Sequence, residues 1–585
     1  MALPESLRPR RSWLWALLAL PALLQLLLLT VAFARRFVYP YDLEWMEGGM
    51  LAHALQLSQG RSIYRPPSVE FIPYLYTPLY PALVAALGKI FGLSYQLGRA
   101  VSIASIAATL ALMARAVTRE APAPEWRAPA RVAAVGALGL FAACFPWVEC
   151  FYDLVRGDSL FLAIGLGGLV ALRAWAPRQD GFLHRRVAVA AALLGLSFFA
   201  KQTGVLLVAA GGAALLVMNW RALPIYVAVA GALGLGGSLV LSRVTDGWYW
   251  IYAFKVHQNH DMHMPRFWES FGHILEHFPV MTLLVAVGLL AVAAYAAARR
   301  RLPPGGAGFL YWAWMFACGT VIGAIGWSTQ WAVFNAFIPA MALGAIAAAA
   351  AIVPLAAVAT ELAPAPPRAY VAPAAAATLL AILGVQLLDA RWDPRWSALV
   401  DDHARVRLPW PWQVKASLAK FTPEPRDHAA GAQLIARLRT IEGDIFYPSH
   451  PWYPVLAGKT TTFTHRIGVK DVTFELPCQV LGRSVVLGQG REATSMLLPC
   501  MRKGPDLPPE ARRIAGMEGR RFGAIVLDHG EALYEYPGLG GGYQQSDNLP
   551  GDASPHVFSG KPTAPGVIFR PLPPPASDGR VPRRE

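Results

Sequence analysis

Apolar residues along this chain gather into long unbroken runs, rather than the alternating pattern of half-buried strands or the narrow stripe of surface helices. Runs long enough to cross roughly 30 Å of hydrocarbon fall at residues 12–34, 96–118, 131–151, 158–176, 187–201, 204–219, 223–242, 277–297, 309–326, 335–359 and 371–388. They predict an α-helical polytopic membrane protein with about eleven transmembrane helices. The first run is too long for a signal-peptide core and lacks a small-residue cleavage site before Arg35 and Arg36, so it reads as a retained helix. Two stretches in the first long loop (residues 35–95), 47–58 and 78–92, are too short or too amphipathic to cross and are expected at the interface. After residue 388 the chain turns polar and proline-rich. A helical period at 427–440 followed by strand-like runs at 444–447 and 522–527 predicts a small α/β soluble domain. The expected organisation is a membrane domain over 1–388, the α/β domain over 389–536, and a Gly/Pro-rich tail over 537–585 that is mostly disordered.

Composition agrees with a bilayer as solvent: 55% of residues are hydrophobic, 15% are charged and the mean hydropathy is +0.38. The net charge of +15 would fit a nucleic-acid partner, but Lys and Arg sit in short clusters between apolar runs, which is the signature of topology. With the N-terminus cytoplasmic, the clusters at Arg115–Arg127, Arg173–Arg186, Arg221, Arg299–Arg301 and Arg368 all face the cytoplasm. The α/β domain then lies on the other side of a cell membrane. Arg35, Arg36, Arg61 and Arg65 break the rule, because they fall in the first outer loop. On that outer side, Cys478 and Cys500 are the two of five cysteines placed to form a disulfide.

Ionisable residues near the ends of apolar runs mark the chemistry. Asp42, Glu44 and Glu47 follow the first helix in YDLEWMEGG, where a carboxylate can act as a general base and a neighbouring acid can raise its pKa or share a cation. The alternative is a solvated loop that ends a helix. Glu149, Asp153, Arg156 and Asp158 form a second cluster in WVECFYDLVRGDSLFL; Asp158 could equally cap the next helix, paired with Arg156. Lys201, in SFFAKQTGVLL, needs an anion if buried and otherwise snorkels to the interface.

His257, His260 and His263 recur at three-residue spacing behind Trp248, Tyr249, Trp250 and Tyr252. They read either as ligands to a divalent metal ion or as polar tips of an aromatic interfacial belt. Gln330 and Asn335, in GWSTQWAVFNAFIP, are placed to bind sugar hydroxyls or to cap a helix. The chain has no Walker loop, nucleotide-sugar Rossmann fingerprint, or nucleophilic Ser or Cys signature, which argues against a cytoplasmic nucleotide donor.

In chain order, EWMEG, the helix AHALQLSQG leading to IYRP, the Thr77-Pro-Leu-Tyr-Pro81 opening, RGDSL and the AKQTG turn resemble the GT-C glycosyltransferases. That superfamily includes the lipid A aminoarabinose transferases and protein O-mannosyltransferases, and the resemblance spans roughly residues 12–345. It implies a polyprenyl-phosphate sugar donor, an acceptor on the extracytoplasmic side, and inverting transfer. A first-loop acid would be the base (Glu44 or Glu47, with Asp42 as the alternative), and Asp158 would assist acceptor or metal binding. Lys201 and Arg156 would hold the lipid phosphate, and Tyr76 and Gln202, with Gln330 and Asn335 above, are the candidate substrate contacts. Many members carry an adjacent Asp-Glu pair where this chain separates Glu44 from Glu47. The SHPWYP segment at 449–454 would then either hold the acceptor or serve only packing. The rival reading is a transporter or flippase of a lipid-linked or anionic substrate, disfavoured by acids that cluster at loops and by the lack of an internal repeat. A third is a scaffold presenting the α/β domain.

Overall fold

The computed structural model describes residues 12–178, 184–362, 368–389, most of 418–471, 521–536, 542–549 and most of 555–572. Helices α1 (Ser12–Phe37), α2 (Glu47–Ser58), α3 (Leu79–Phe91) and α4 (Tyr95–Arg119) are followed by α5 (Arg127–Ala143), α6 (Asp158–Trp175), α7 (Arg185–Ala200) and α8 (Gly204–Asn219). The chain continues through α9 (Leu223–Gly231), α10 (Gly237–Val244), the single turn α11 (Trp248–Trp250) and α12 (Met264–His277). The membrane part closes with α13 (Pro279–Arg299), α14 (Gly306–Ser328), α15 (Ile338–Leu362) and α16 (Arg368–Asp389).

Among the described residues, eight helical stretches are long and apolar enough to cross a membrane, so the chain is a multi-pass membrane protein. The run expected over 131–151 is helical only to Ala143, and the one over 187–201 is a 16-residue helix. Gly204–Val244 is one of the eight, but the turn at Trp220–Ala222 folds it back on itself: the Tyr226 hydroxyl donates to the Val208 carbonyl at 2.6 Å. The two halves therefore follow the expected runs 204–219 and 223–242. The two segments expected at the interface are α2 and α3, helices of 12 and 13 residues, and α2 is buried along most of its length within the protein.

Helix α15 forms the axis of the bundle, packed by α5, α13, α14 and α16. Its alanine-rich sequence lets the neighbours approach closely, which is how helices gain packing contacts when lipid supplies no hydrophobic drive. The same logic operates where α5 crosses α1: a Cβ at Gly139 would lie 2.4 Å from Ala22.

The soluble part begins with α17 (Pro425–Arg439), closed at its N-terminus by a capping box between Glu424 and Asp427. Its sheet has the order β1 (Ile445–Phe446), β2 (Ala524–Asp528), β4 (Pro565–Pro571), β3 (Tyr543–Asn548). Strand β1 runs parallel to β2, and the other pairs are antiparallel. Helix and first two strands are where the sequence placed them. The tail is not: residues 537–585 supply β3 and β4, half of the sheet. Apolar Val567, Ile568 and Phe569 sit in register against β2, and this short run was outweighed by the surrounding Gly and Pro. Cys478 and Cys500 lie outside the described residues.

Candidate active site

The first loop, residues 38–46, is clamped between the bundle and the α/β domain, and its acids Asp42 and Glu44 are buried together with Glu47, the first residue of α2. Each has a different set of partners. Glu47 receives the Arg99 guanidinium on both oxygens, at 3.1 and 2.6 Å, and accepts the backbone N–H groups of Leu43 at 2.6 Å and Val155 at 2.8 Å. It ties together the first loop, α4 and the loop of residues 144–157, with its lone pairs occupied. Asp42 accepts the Gly48 N–H at 2.9 Å and meets His450 Nδ1 at 2.6 Å; His450 Nε2 meets Asp528 at 3.1 Å. Burial disfavours the charged imidazole, but the carboxylates of Asp528 and Asp42 outweigh it and raise His450 to about 10.

Glu44 is held differently. Arg156 Nη1 donates to it at 3.1 Å and the Met46 N–H at 3.2 Å. Burial lifts its carboxyl to about 7 despite Arg156, which places it in the range of a general base at neutral pH.

From Glu44 a chain of charge runs to the entrance of α6. Arg156 lies 3.7 Å from Asp158, donates to the Tyr76 hydroxyl at 2.8 Å, and packs over the rings of Tyr76 and Phe151. Asp158 is the first residue of α6, after an N-cap at Gly157, and accepts from Lys201 Nζ at 2.5 Å and Asn335 Nδ2 at 3.1 Å. A cavity of about 30 Å³ opens beside this junction, lined by Asp158, Lys201, Asn335 and apolar side chains including Phe161 and Ile338. That volume admits a water or two.

The loop of residues 144–157 reaches this geometry through backbone strain. Glu149 and Cys150 both have left-handed φ values, 55° and 60°, which cost non-glycine residues of order 1–3 kcal/mol each. Tyr80 and Ser102 hold Leu154 by its carbonyl, and Glu149 accepts the Phe334 N–H at 3.1 Å.

Of the residues singled out in the sequence, Glu44, Arg156, Asp158, Lys201, Tyr76 and Asn335 are brought into one network. Asp42 and Glu47 flank it, tied into the supporting structure. Gln202 donates to the Leu75 carbonyl at 2.5 Å and fixes the segment carrying Tyr76. Gln330 stays outside, paired with the backbone of Asp261. Of His257, His260 and His263, the first two rings meet edge-to-face at 5.2 Å. His257 is bonded to the Leu75 carbonyl at 2.9 Å, and the described residues form no metal-ligand group from this trio.

Four partners escaped the sequence reading. Arg36, an apparent exception to the charge rule, is fully buried and grips Asp153 at 2.7 and 3.0 Å. Arg99 sits inside an apolar run, which is itself a signal of a buried partner. His450 and Asp528 come from the α/β domain, more than 400 residues from Asp42 in the first case.

Two solved structures are similar in fold over nearly the whole chain. ArnT from Cupriavidus metallidurans bound to undecaprenyl phosphate gives a TM-score of 0.51 at 13% identity, covering 96% of this chain and 98% of that one. The apo state of the same protein gives 0.50 at 14% identity, covering 94% and 97%. This chain shares the ArnT fold. No protein-family model and no curated protein matches the sequence.

Proposed function

We propose that this GT-C chain is an integral-membrane glycosyltransferase that moves a sugar from a polyprenyl-phosphate donor to an acceptor on the extracytoplasmic side of the cell membrane. The observation that carries the reading is the continuous network Glu44–Arg156–Asp158–Lys201, which joins a buried, weakly acidic carboxylate to two cations and a polar-lipped cavity. The similarity to ArnT with undecaprenyl phosphate bound supports the donor class.

In this scheme Glu44 removes the proton of the acceptor hydroxyl as its oxygen attacks the anomeric carbon. The bond from that carbon to the phosphate oxygen breaks on the opposite face, so the centre inverts. The electron pair leaves with the polyprenyl phosphate, whose growing charge is met by Lys201 and Arg156. Asp158, itself held by Asn335, keeps Lys201 in place until the phosphate arrives. Glu47 and Asp42 are positioning residues, because Arg99 and His450 already occupy them. Incubating membranes that carry the chain with a panel of labelled polyprenyl-phosphate sugars tests the reading: transfer should appear with at least one donor and vanish in Glu44→Gln. A chain that consumes no donor, or whose Glu44→Gln variant keeps full activity, would leave the transporter or scaffold reading standing.

A further inference from the structure

Helix α12 lies between the aromatic loop and α13, outside the catalytic network, and carries the sequence His273-Ile-Leu-Glu-His277. Residues four apart on a helix stand one above the other, so the two imidazoles share a face and Glu276 lies at its edge. One ligand atom from each of His273, Glu276 and His277 lies within 4.8 Å of the other two; among the described residues this is the one group of three so arranged. His273 Nδ1 and a Glu276 oxygen are 4.0 Å apart.

We infer that His273, Glu276 and His277 form a binding site for a zinc-class divalent ion. Bonds of about 2.1 Å in a tetrahedral site put neighbouring ligand atoms about 3.4 Å apart. The three groups must therefore close by at most about 1.4 Å, and the Glu276 side chain, 74% exposed, is free to swing that far. Two imidazoles with one carboxylate favour zinc, nickel or copper over magnesium or calcium, which take oxygen ligands. The His277 Nδ1 hydrogen bond to the His273 carbonyl, 2.9 Å, fits the neutral tautomer with its lone pair on Nε2, the arrangement outer-shell carbonyls impose on metal-binding histidines.

The rings around the site give the ion a structural task. His273 packs against Trp327 at 5.2 Å and Phe334 at 5.8 Å, and His277 against Trp147 at 5.8 Å. Phe334 precedes Asn335 of the cavity, and Trp147 belongs to the strained loop. A bound ion pins the last turn of α12 against Phe334, beside the cavity-lining Asn335, and against Trp147 of the strained loop. On the other side of the helix Met264, Trp268, Phe271 and Leu275 are exposed apolar residues, as for a helix lying in a membrane interface.

The test uses the full-length chain purified in detergent, stripped with a chelator, equilibrated with zinc and assayed for bound metal, a readout independent of any transfer activity. Wild type should retain a single zinc, and His273→Gln and His277→Gln should bind about tenfold more weakly or worse. His257→Gln should bind like wild type. Glu276→Gln, exposed and safe for folding, should also weaken binding, and cobalt in place of zinc should give the visible spectrum of a four-coordinate site only when both histidines are present. Retention of no zinc by wild type, or loss in His257→Gln with retention in the α12 variants, overturns the assignment.

Discussion

Replacing His450 by glutamine leaves Asp42 and Asp528 facing each other across a neutral amide, both buried where the imidazolium had stood between them. An imidazole held at about 10, against 6.5 when exposed, corresponds to about 5 kcal/mol of stabilisation of the folded, docked α/β domain. Breaking a buried ion pair by removing one partner costs about 3–5 kcal/mol, a similar magnitude. Since the folded state raises this pKa, the contribution is complete below pH 6.5 and is lost as pH rises towards about 10. Thermal unfolding followed by tryptophan fluorescence should report it, because Trp452 is buried two residues from His450. Other groups titrate in the same window, so the decisive quantity is the difference between wild type and His450→Gln. That gap should be several kcal/mol at pH 6 and should shrink steadily towards pH 10. A gap that is absent at pH 6, or constant across the range, would refute a cationic His450 bridging the two domains.

Three further outcomes follow from the same geometry. With Glu44 as base and its carboxyl lifted to about 7, the transfer rate should climb from pH 5.5 to 8 and then level, as the carboxylate form fills; a rate independent of pH there contradicts that role. Asp153→Asn leaves the fully buried Arg36 without its counter-charge and should destabilise the protein by about 3–5 kcal/mol, measured as lost thermal stability in detergent. Gly431→Ala puts a methyl 2.0 Å from the Tyr41 ring at the seam between α17 and the first loop, so it should cost about 1–3 kcal/mol and loosen the α/β domain, read as faster proteolysis of that domain.

Much of this could be read from the chain because long apolar runs have few alternatives in a bilayer, and because charges beside such runs are expensive without a purpose. That reasoning found Glu44, Arg156, Asp158, Lys201 and Asn335, which the fold joins. It could not divide labour among Asp42, Glu44 and Glu47, since their partners Arg99 and His450 come from distant segments that no local pattern connects. Charge statistics misplaced Arg36: its role is a buried pair with Asp153. The histidine spacing at 257–263 brings the His257 and His260 rings to 5.2 Å, with His257 also bonded to a backbone carbonyl, while the i, i+4 pair on α12, which lies beside Glu276, was not among the residues the spacing singled out. In the tail, turn-rich composition hid two strands whose partner β2 gives them their register.

The most direct test of the central claim is single-turnover transfer from a polyprenyl-phosphate sugar by wild type, Glu44→Gln, Glu47→Gln and Lys201→Ala at matched amounts of folded protein. Glu44→Gln should bind donor normally yet lose turnover by about a hundredfold or more. Lys201→Ala should lose donor affinity as well as rate, and Glu47→Gln should lose stability more than turnover per folded molecule. Equal turnover in wild type and Glu44→Gln, with donor bound in both, would contradict the assignment of the first-loop carboxylate as base.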